Sequence, residues 1–338
     1  MISGDEEGHC GVGRPARPWL LADIGGTNAR FGWLAAGQND VCHVASLRGV
    51  DHAGPAAAAR AYLDSLARQL GREYSPPRAG AFAVATAVGE DQISFTNSGW
   101  SFSRRQTKAE LGLDDLLVLN DFEALALSLP CLGAAQLRPH GALPEARGTL
   151  AVVGPGTGLG VAGVVQTRHG WAALAGEGGH ATLAAGDDFE SALLAAVRRE
   201  HAHVSAERLL SGIGLPVLHQ GVASVLGLQA ESLAAAVIVE RGLAGSDAAC
   251  SRSLDSFCAL LGGFCGNVAL TLGARGGLYI GGGIVPRLGE RFFQSRFRER
   301  FEAKGRFQAY LQAVPTALIT DTLVALTGAA QALKQHRA

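Results

Sequence analysis

At 338 residues the chain is longer than one core comfortably fills, so two domains are expected, and 48% hydrophobic against 17% charged residues supplies apolar surface for both. Lys+Arg (29) nearly balance Asp+Glu (30), and the net charge of −1 excludes broad attraction to nucleic acid or to an anionic membrane. No lysine (Lys108, Lys304, Lys334) stands in a Gly-Lys-Ser/Thr run, which excludes a Walker A loop; the protein-kinase His-Arg-Asp and Asp-Phe-Gly signatures are absent as well.

The first 17 residues, with Asp5-Glu6-Glu7 and several Gly and Pro but no apolar stretch, read as a disordered extension rather than a signal peptide. Strands are expected at 18–23, 30–35, 42–47, 81–86, 93–96 and 115–119. A helix at 55–70 carries Tyr62, Leu63, Leu66 and Leu70 on one face, and a second runs from Asp121 to Pro130. After a Gly-, Pro- and Ala-rich loop at 132–148, strands at 149–154, 159–166 and 171–174 repeat the opening theme. Helices follow from about 187, including a long one at 252–272. The run Leu278 to Gly283, a strand at 314–320 and a helix at 322–335 complete the pattern. Two βββαβα halves point to a duplicated fold with a cleft between lobes. No 18-residue apolar run reads as membrane-spanning, so the cytoplasm is the expected location. The six cysteines are scattered without a Cys-x-x-Cys pair and read as buried, reduced hydrophobes.

Each half opens with a strand running into a glycine- and threonine-bearing loop, Asp23-Ile24-Gly25-Gly26-Thr27-Asn28 and Gly154-Pro155-Gly156-Thr157-Gly158, with Asn120-Asp121 between them in sequence. Glycine brings backbone N–H groups close to an anion and threonine adds a hydroxyl, so the pair suggests a nucleotide phosphate chain and a phosphoryl-transfer enzyme. Gly158-Leu-Gly-Val-Ala-Gly163 matches the dinucleotide fingerprint, but Val161, Val164 and Val165 read as strand where that fingerprint must open a helix.

Leu21–Arg30 (LADIGGTNAR), Leu119–Phe122 (LNDF), Gly176–His180 (GEGGH), His203–Arg208 (HVSAER) and Gly281–Arg287 (GGGIVPR) occur in one order. Together they resemble the bacterial ATP-dependent glucokinase family, of the sugar kinase, actin and Hsp70 superfamily, over about 18–335. The zinc-binding cysteine cluster of the related repressor/ORF/kinase group is missing. The resemblance implies a duplicated ribonuclease H-like (actin-like ATPase) α/β fold, two lobes with a central cleft. Residues 18–131 plus 318–338 would form the small lobe and 132–317 the large one. It implies ATP and glucose as substrates, Mg²⁺, a homodimer, and neither nucleic-acid nor membrane partners.

Carried onto this chain, the resemblance makes Asp121 the base that takes the proton of the sugar's 6-hydroxyl. A weak base suffices for a loose phosphoryl transition state. Glu177, His180 and Glu207, with Asn120 and Asn97, would meet the sugar hydroxyls as charged and neutral hydrogen-bond partners. Asp23 would orient Mg²⁺ through water. Gly25, Gly26, Thr27 and Asn28 would hold phosphate from one lobe, and Gly156, Thr157 and Gly158 from the other, while Gly281, Gly282 and Gly283 let adenine and ribose lie against the backbone. Lobe closure would exclude water from the reaction. Ala87 stands where relatives commonly carry proline, and Asp321-Thr322-Leu323-Val324 replaces a Gly/Pro-containing turn. Open alternatives are the same chemistry on mannose, fructose or an amino sugar, a sugar-responsive regulator, and a chaperone or filament protein of the superfamily.

Overall fold

The computed structural model describes residues 15–86, 88–95 and 99–337. It divides into two compact units. One comprises the chain up to Leu132 with 167–173 and the segment from Asp321; the other comprises 133–166 and 174–320.

In the first unit, β1 (Trp19–Ile24), β2 (Asn28–Leu34), β3 (Val41–Arg48), α1 (Pro55–Leu70) and β4 (Ala79–Val84) come first. A small ribbon of β5 (Gln92–Ser94) and β6 (Ser101–Ser103) then leads through α2 (Arg104–Glu110) to β7 (Asp115–Asn120) and α3 (Asp121–Ser128). The sheet order is β3-β2-β1-β4-β7, antiparallel through β3-β2-β1 and parallel from β1 to β7. Successive strand residues face opposite sides. Leu20, Ala22 and Ile24 therefore pack with Phe31, Phe82 and the α1 residues Tyr62 and Leu66, whereas Trp19 and Leu21 face the other way. That second face is covered by Leu326, Ala329, Ala330 and Leu333 of the last helix.

The second unit repeats the plan. Its sheet comprises β8 (Leu137–Pro139), β9 (Thr149–Pro155), β10 (Leu159–Thr167), β11 (Gly170–Gly176), β12 (Gly277–Ile280) and β13 (Thr316–Ile319), in the order β11-β10-β9-β12-β13-β8. The β9–β10 pair is antiparallel and β9-β12-β13 run parallel, as in the first sheet; β8 adds one antiparallel edge. Between β11 and β12 come α4 (Asp188–Val197), α5 (Leu215–Val225), α6 (Ala235–Ala244) and α7 (Ala248–Leu272). The short helices α8 (Val285–Leu288), α9 (Glu290–Gln294), α10 (Phe297–Glu302) and α11 (Gln308–Gln312) precede β13, and α12 (Val324–His336) returns to the first unit.

Most expected elements stand within a few residues of their expected bounds, but β6 and α2 were not expected, and three further differences stand out. Strand β8 lies inside the expected loop 132–148. Helix α7 begins at Ala248 rather than 252 because the Asp247 carboxylate caps it, accepting the Cys250 N–H at 2.8 Å. The disordered extension expected through residue 17 falls largely outside the described residues, but Pro15 is buried and its carbonyl accepts the Gly37 N–H at 2.9 Å.

Helix α7 is also long and apolar enough to cross a bilayer by length and composition, which the sequence reading did not register, but 72% of its most apolar window is buried. It is the central helix of the second core, with Leu254, Phe257 and Leu261 packed among Leu194, Leu218 and Phe297. Burial pushes the thiol of Cys250 up to about 11 and that of Cys258 up to about 12, so both stay protonated, unreactive core groups.

Candidate functional site

In the first unit the candidate residues Asp23 to Asn28, Asn120 and Asp121 lie at the carboxyl ends of parallel strands β1 and β7, with β4 between them. The ladder pairs Ile24 with Val84 and Val84 with Asn120. Two strand spacings therefore separate the end of β1 from the end of β7, about 10 Å. Open α/β sheets place ligands at this edge.

The β1–β2 hairpin is closed by Gly25 N–H donating to the Asn28 carbonyl at 3.0 Å, leaving Gly26, Thr27 and Asn28 at an exposed tip. The Thr27 carbonyl is held by Gly49 N–H at 2.8 Å. Asp23 sits one residue before the turn, directly across the ladder from Arg30, and the two side chains form an ion pair at 3.3 Å. Burial raises the Asp23 carboxyl above its usual value, and Arg30 only partly offsets that. Arg30 also donates to the Thr322 carbonyl at 3.3 Å. The Asp321–Val324 turn thus touches the β1–β2 hairpin through Arg30.

At the end of β7, Asn120 caps α3: its Oδ1 accepts the Phe122 N–H at 2.9 Å, while its Nδ2 donates to the Thr86 carbonyl at 3.2 Å. This ties the helix start to the end of β4. Asp121, the first helical residue, is half-buried, and its Oδ1 also accepts the Phe122 N–H at 2.9 Å. The positive end of the helix dipole favours the carboxylate there. Two residues on, burial raises the Glu123 carboxyl, with the Asn120 backbone N–H pulling it back. Asn97 and Ala87 lie outside the described residues.

The second unit brings Glu177, His180 and Glu207 together. Glu177, Gly178, Gly179 and His180 form a tight turn in which the His180 N–H donates to the Glu177 carbonyl at 3.0 Å. Gly179 is required there, because a Cβ would strike the Leu159 carbonyl. His180 Nε2 lies 4.0 Å from Glu177 Oε2, and its Nδ1 lies 3.9 Å from Glu207 Oε1. Both separations exceed a hydrogen bond. The Glu177 side chain is 78% exposed and that of Glu207 only 24%. His203 hydrogen-bonds Thr182 at 3.1 Å instead of joining this group.

Beside them, Gly156, Thr157 and Gly158 form the tip of the β9–β10 hairpin. The strand expected at 159–166 is β10, and with it the rejection of the dinucleotide fingerprint holds. The Gly156 N–H is committed within the turn, donating to the Gly158 carbonyl at 2.8 Å, so it is Thr157 and Gly158 that carry the expectation of phosphate binding. Two further segments flank this tip. Gly212 N–H donates to the Gly156 carbonyl at 2.8 Å on one side; on the other, Gly281 N–H reaches the Val153 carbonyl at 2.9 Å and Ile284 N–H the Pro155 carbonyl at 3.2 Å. Gly282 has φ +74°, and a Cβ there would meet the Pro155 carbonyl, so no other residue fits. Gly282 and Gly283 are exposed, a bare backbone next to the hairpin.

The sequence reading missed Arg30, Thr86 and the Ser211-Gly212-Ile213-Gly214 segment. Hairpin symmetry about Gly25–Asn28 signals Arg30 in hindsight, and a glycine pair just ahead of Pro216 at a helix start signals the last. Thr86 acts through its carbonyl and leaves no trace in the sequence.

Solved structures at low identity share the whole fold. Glucokinase from Balamuthia mandrillaris superposes with a TM-score of 0.73 at 19% identity, covering 94% of each chain, and that from Leishmania braziliensis with 0.71 at 19%, covering 93% of this chain and 92% of its own. The fold is therefore the duplicated, actin-like ATPase fold. A glucokinase from an Antarctic psychrotroph is similar at 38% identity and a TM-score of 0.86, over 95% of this chain and 99% of that one. The Glucokinase of Aromatoleum aromaticum is 48% identical over 94% of both chains, and that of Paramagnetospirillum magneticum is 47% identical over 92% of this chain and 96% of its own. The description of the Glucokinase family matches residues 20–336. The chain belongs to the glucokinase family.

Proposed function

We infer that the chain transfers the γ-phosphoryl group of ATP to the 6-hydroxyl of glucose, with Asp121 as the base. The oxygen of the 6-hydroxyl forms the new bond to phosphorus, the bond to the β,γ-bridging oxygen breaks with its electron pair leaving on ADP, and the hydroxyl proton passes to the Asp121 carboxylate. The observation that carries this reading is the strand-end row in the first unit, which sets a glycine-threonine hairpin and a helix-start carboxylate about 10 Å apart on one sheet edge. Asn120 fixes the helix start beneath Asp121 through the Thr86 carbonyl. Glu177, His180 and Glu207 supply acceptors and donors for the sugar hydroxyls, and the exposed Gly282–Gly283 backbone offers a flat surface for the nucleoside.

Among the described residues no group of three or more His, Cys, Asp and Glu could cage a metal ion. Mg²⁺ in phosphoryl transfer needs only one or two carboxylates, the rest of its shell being phosphate and water, so a lone Asp23 fits it. Bound there, Mg²⁺ would neutralise charge on the phosphates, and Asp23 would orient it through water. The homodimer implied by the resemblance belongs to the same proposal and is checked by light scattering.

The test is Asp121→Ala in a coupled assay with ATP, Mg²⁺ and single hexoses, alongside calorimetric glucose binding. Glucose affinity should stay within a few-fold while turnover falls by about 10²-fold or more. Near-normal turnover removes Asp121 from its role.

A further inference from the structure

We propose that Glu207, beyond any sugar contact, positions the β9–β10 phosphate hairpin, so that its carboxylate couples nucleotide affinity to hexose affinity; this rests on the kinase reading above. The two oxygens of this side chain face different tasks. Oε1 points toward His180, 3.9 Å from its Nδ1. Oε2 accepts the N–H of Leu159 at 2.9 Å, the residue immediately after the hairpin tip. A carboxylate that served only as a sugar ligand would have no reason to commit an oxygen to a strand amide.

The backbone of Glu207 completes the clasp. Its N–H donates to the Gly179 carbonyl at 2.8 Å, inside the Glu177–His180 turn. Its carbonyl accepts from Ser211 Oγ at 2.7 Å, and the next residue, Gly212, holds the Gly156 carbonyl at 2.8 Å. Glu207 thereby grips both sides of the tip, Leu159 by its side chain and Gly156 through Ser211-Gly212, while anchored to the sugar-side turn.

Gly158 gives an independent sign of the same role. Its φ is not in the left-handed region, so the backbone does not demand glycine. A Cβ at this position would stand 2.5 Å from Glu207 Oε2 and 3.3 Å from its Cδ, with no other atom nearby. Glycine here makes room for the carboxylate, which the Leu159 amide holds in place.

The experiment titrates a non-hydrolysable ATP analogue calorimetrically, with no sugar present, into wild type, Glu207→Ala, Gly158→Ala and the double variant, with thermal melts to confirm folding. Loss of the charge-assisted hydrogen bond should weaken nucleotide binding about tenfold in Glu207→Ala. Gly158→Ala should weaken it comparably by displacing the carboxylate, and the same methyl should add under about twofold in the Glu207→Ala background, where nothing opposes it. Wild-type nucleotide affinity in Glu207→Ala with only glucose binding impaired, or penalties that multiply in the double variant, would overturn the proposal. If Glu207→Ala fails to fold, Gly158→Ala alone decides: it must weaken glucose as well as nucleotide, and unchanged glucose affinity refutes the coupling. Failure of the kinase reading looks different, as wild-type protein that neither binds nor phosphorylates glucose.

Discussion

Gly328→Ala tests whether packing far from the chemistry sets the position of Asp121. Gly328 is buried in α12, and a Cβ there would run into the Ala124 carbonyl of α3, with the Ala124 Cα at 3.2 Å. Backbone cannot rotate aside, so the two helices must separate by about an ångström to reach van der Waals contact. Overpacking of this kind costs about 1–3 kcal/mol, and the better helix propensity of alanine returns roughly 1 kcal/mol, leaving a net loss of up to about 2 kcal/mol. Helix α3 begins with Asp121, and a misplacement of about 1 Å can cost a reaction about 10²-fold. Urea unfolding should therefore show lower stability, and the coupled assay should show kcat down by about 10- to 100-fold. Gly263→Ala is the matched control: it lies inside α7 with open space around its Cβ position and should stabilise the protein by up to about 1 kcal/mol. A Gly328→Ala variant with wild-type stability and turnover would refute the argument.

Asp23→Asn should separate stability from activity. Burial puts the folded pKa of Asp23 above the unfolded one, so the native state holds this proton more tightly and stability falls as pH rises through the folded value. At pH 7 the ionised form is a net cost, so the variant should melt higher than wild type there, by a margin that shrinks toward pH 4, while turnover falls; a lower melting temperature would mean that the Arg30 pair outweighs burial. Arg300→Met should cost about 3–5 kcal/mol at neutral pH, read from denaturant unfolding, because it strands the buried Glu190 carboxylate it contacts at 2.6 Å. Burial already raises Glu190, so the loss should be larger at pH 8 than at pH 5, and a pH-independent loss would assign the effect to packing alone.

Much of this was legible in the sequence because its signals were local. A hydrophobic strand ending in glycines, followed by another strand, could only turn back, whereas Asn120 was read for the sugar and its capping of α3 was not. What escaped depends on residues distant along the chain. Strand β8, Leu137-Arg138-Pro139, has no β-branched residue and exists because β13 offers it an edge; Pro139 is tolerated at such an edge. The Leu159 amide on Glu207 joins residues 48 apart, which no spacing rule reaches. The Gly156 amide was expected to face phosphate, and only the turn geometry shows it donating to the Gly158 carbonyl instead. No membrane-length run was expected, and the apolar length of α7 is explained by neighbours distant along the chain that bury it.

Helix α12 has a consequence for biogenesis. The sheet built from residues 19–120 is roofed on one side by Leu326, Ala329, Ala330 and Leu333, more than 200 positions downstream by their numbering. A nascent chain ordinarily folds from its leading end. Here the strands that leave the ribosome first must wait, one greasy side bare, while the intervening stretch 133–166 and 174–320 can assemble ahead of them. A stop codon ahead of α12 would therefore cripple the first unit's sheet as well.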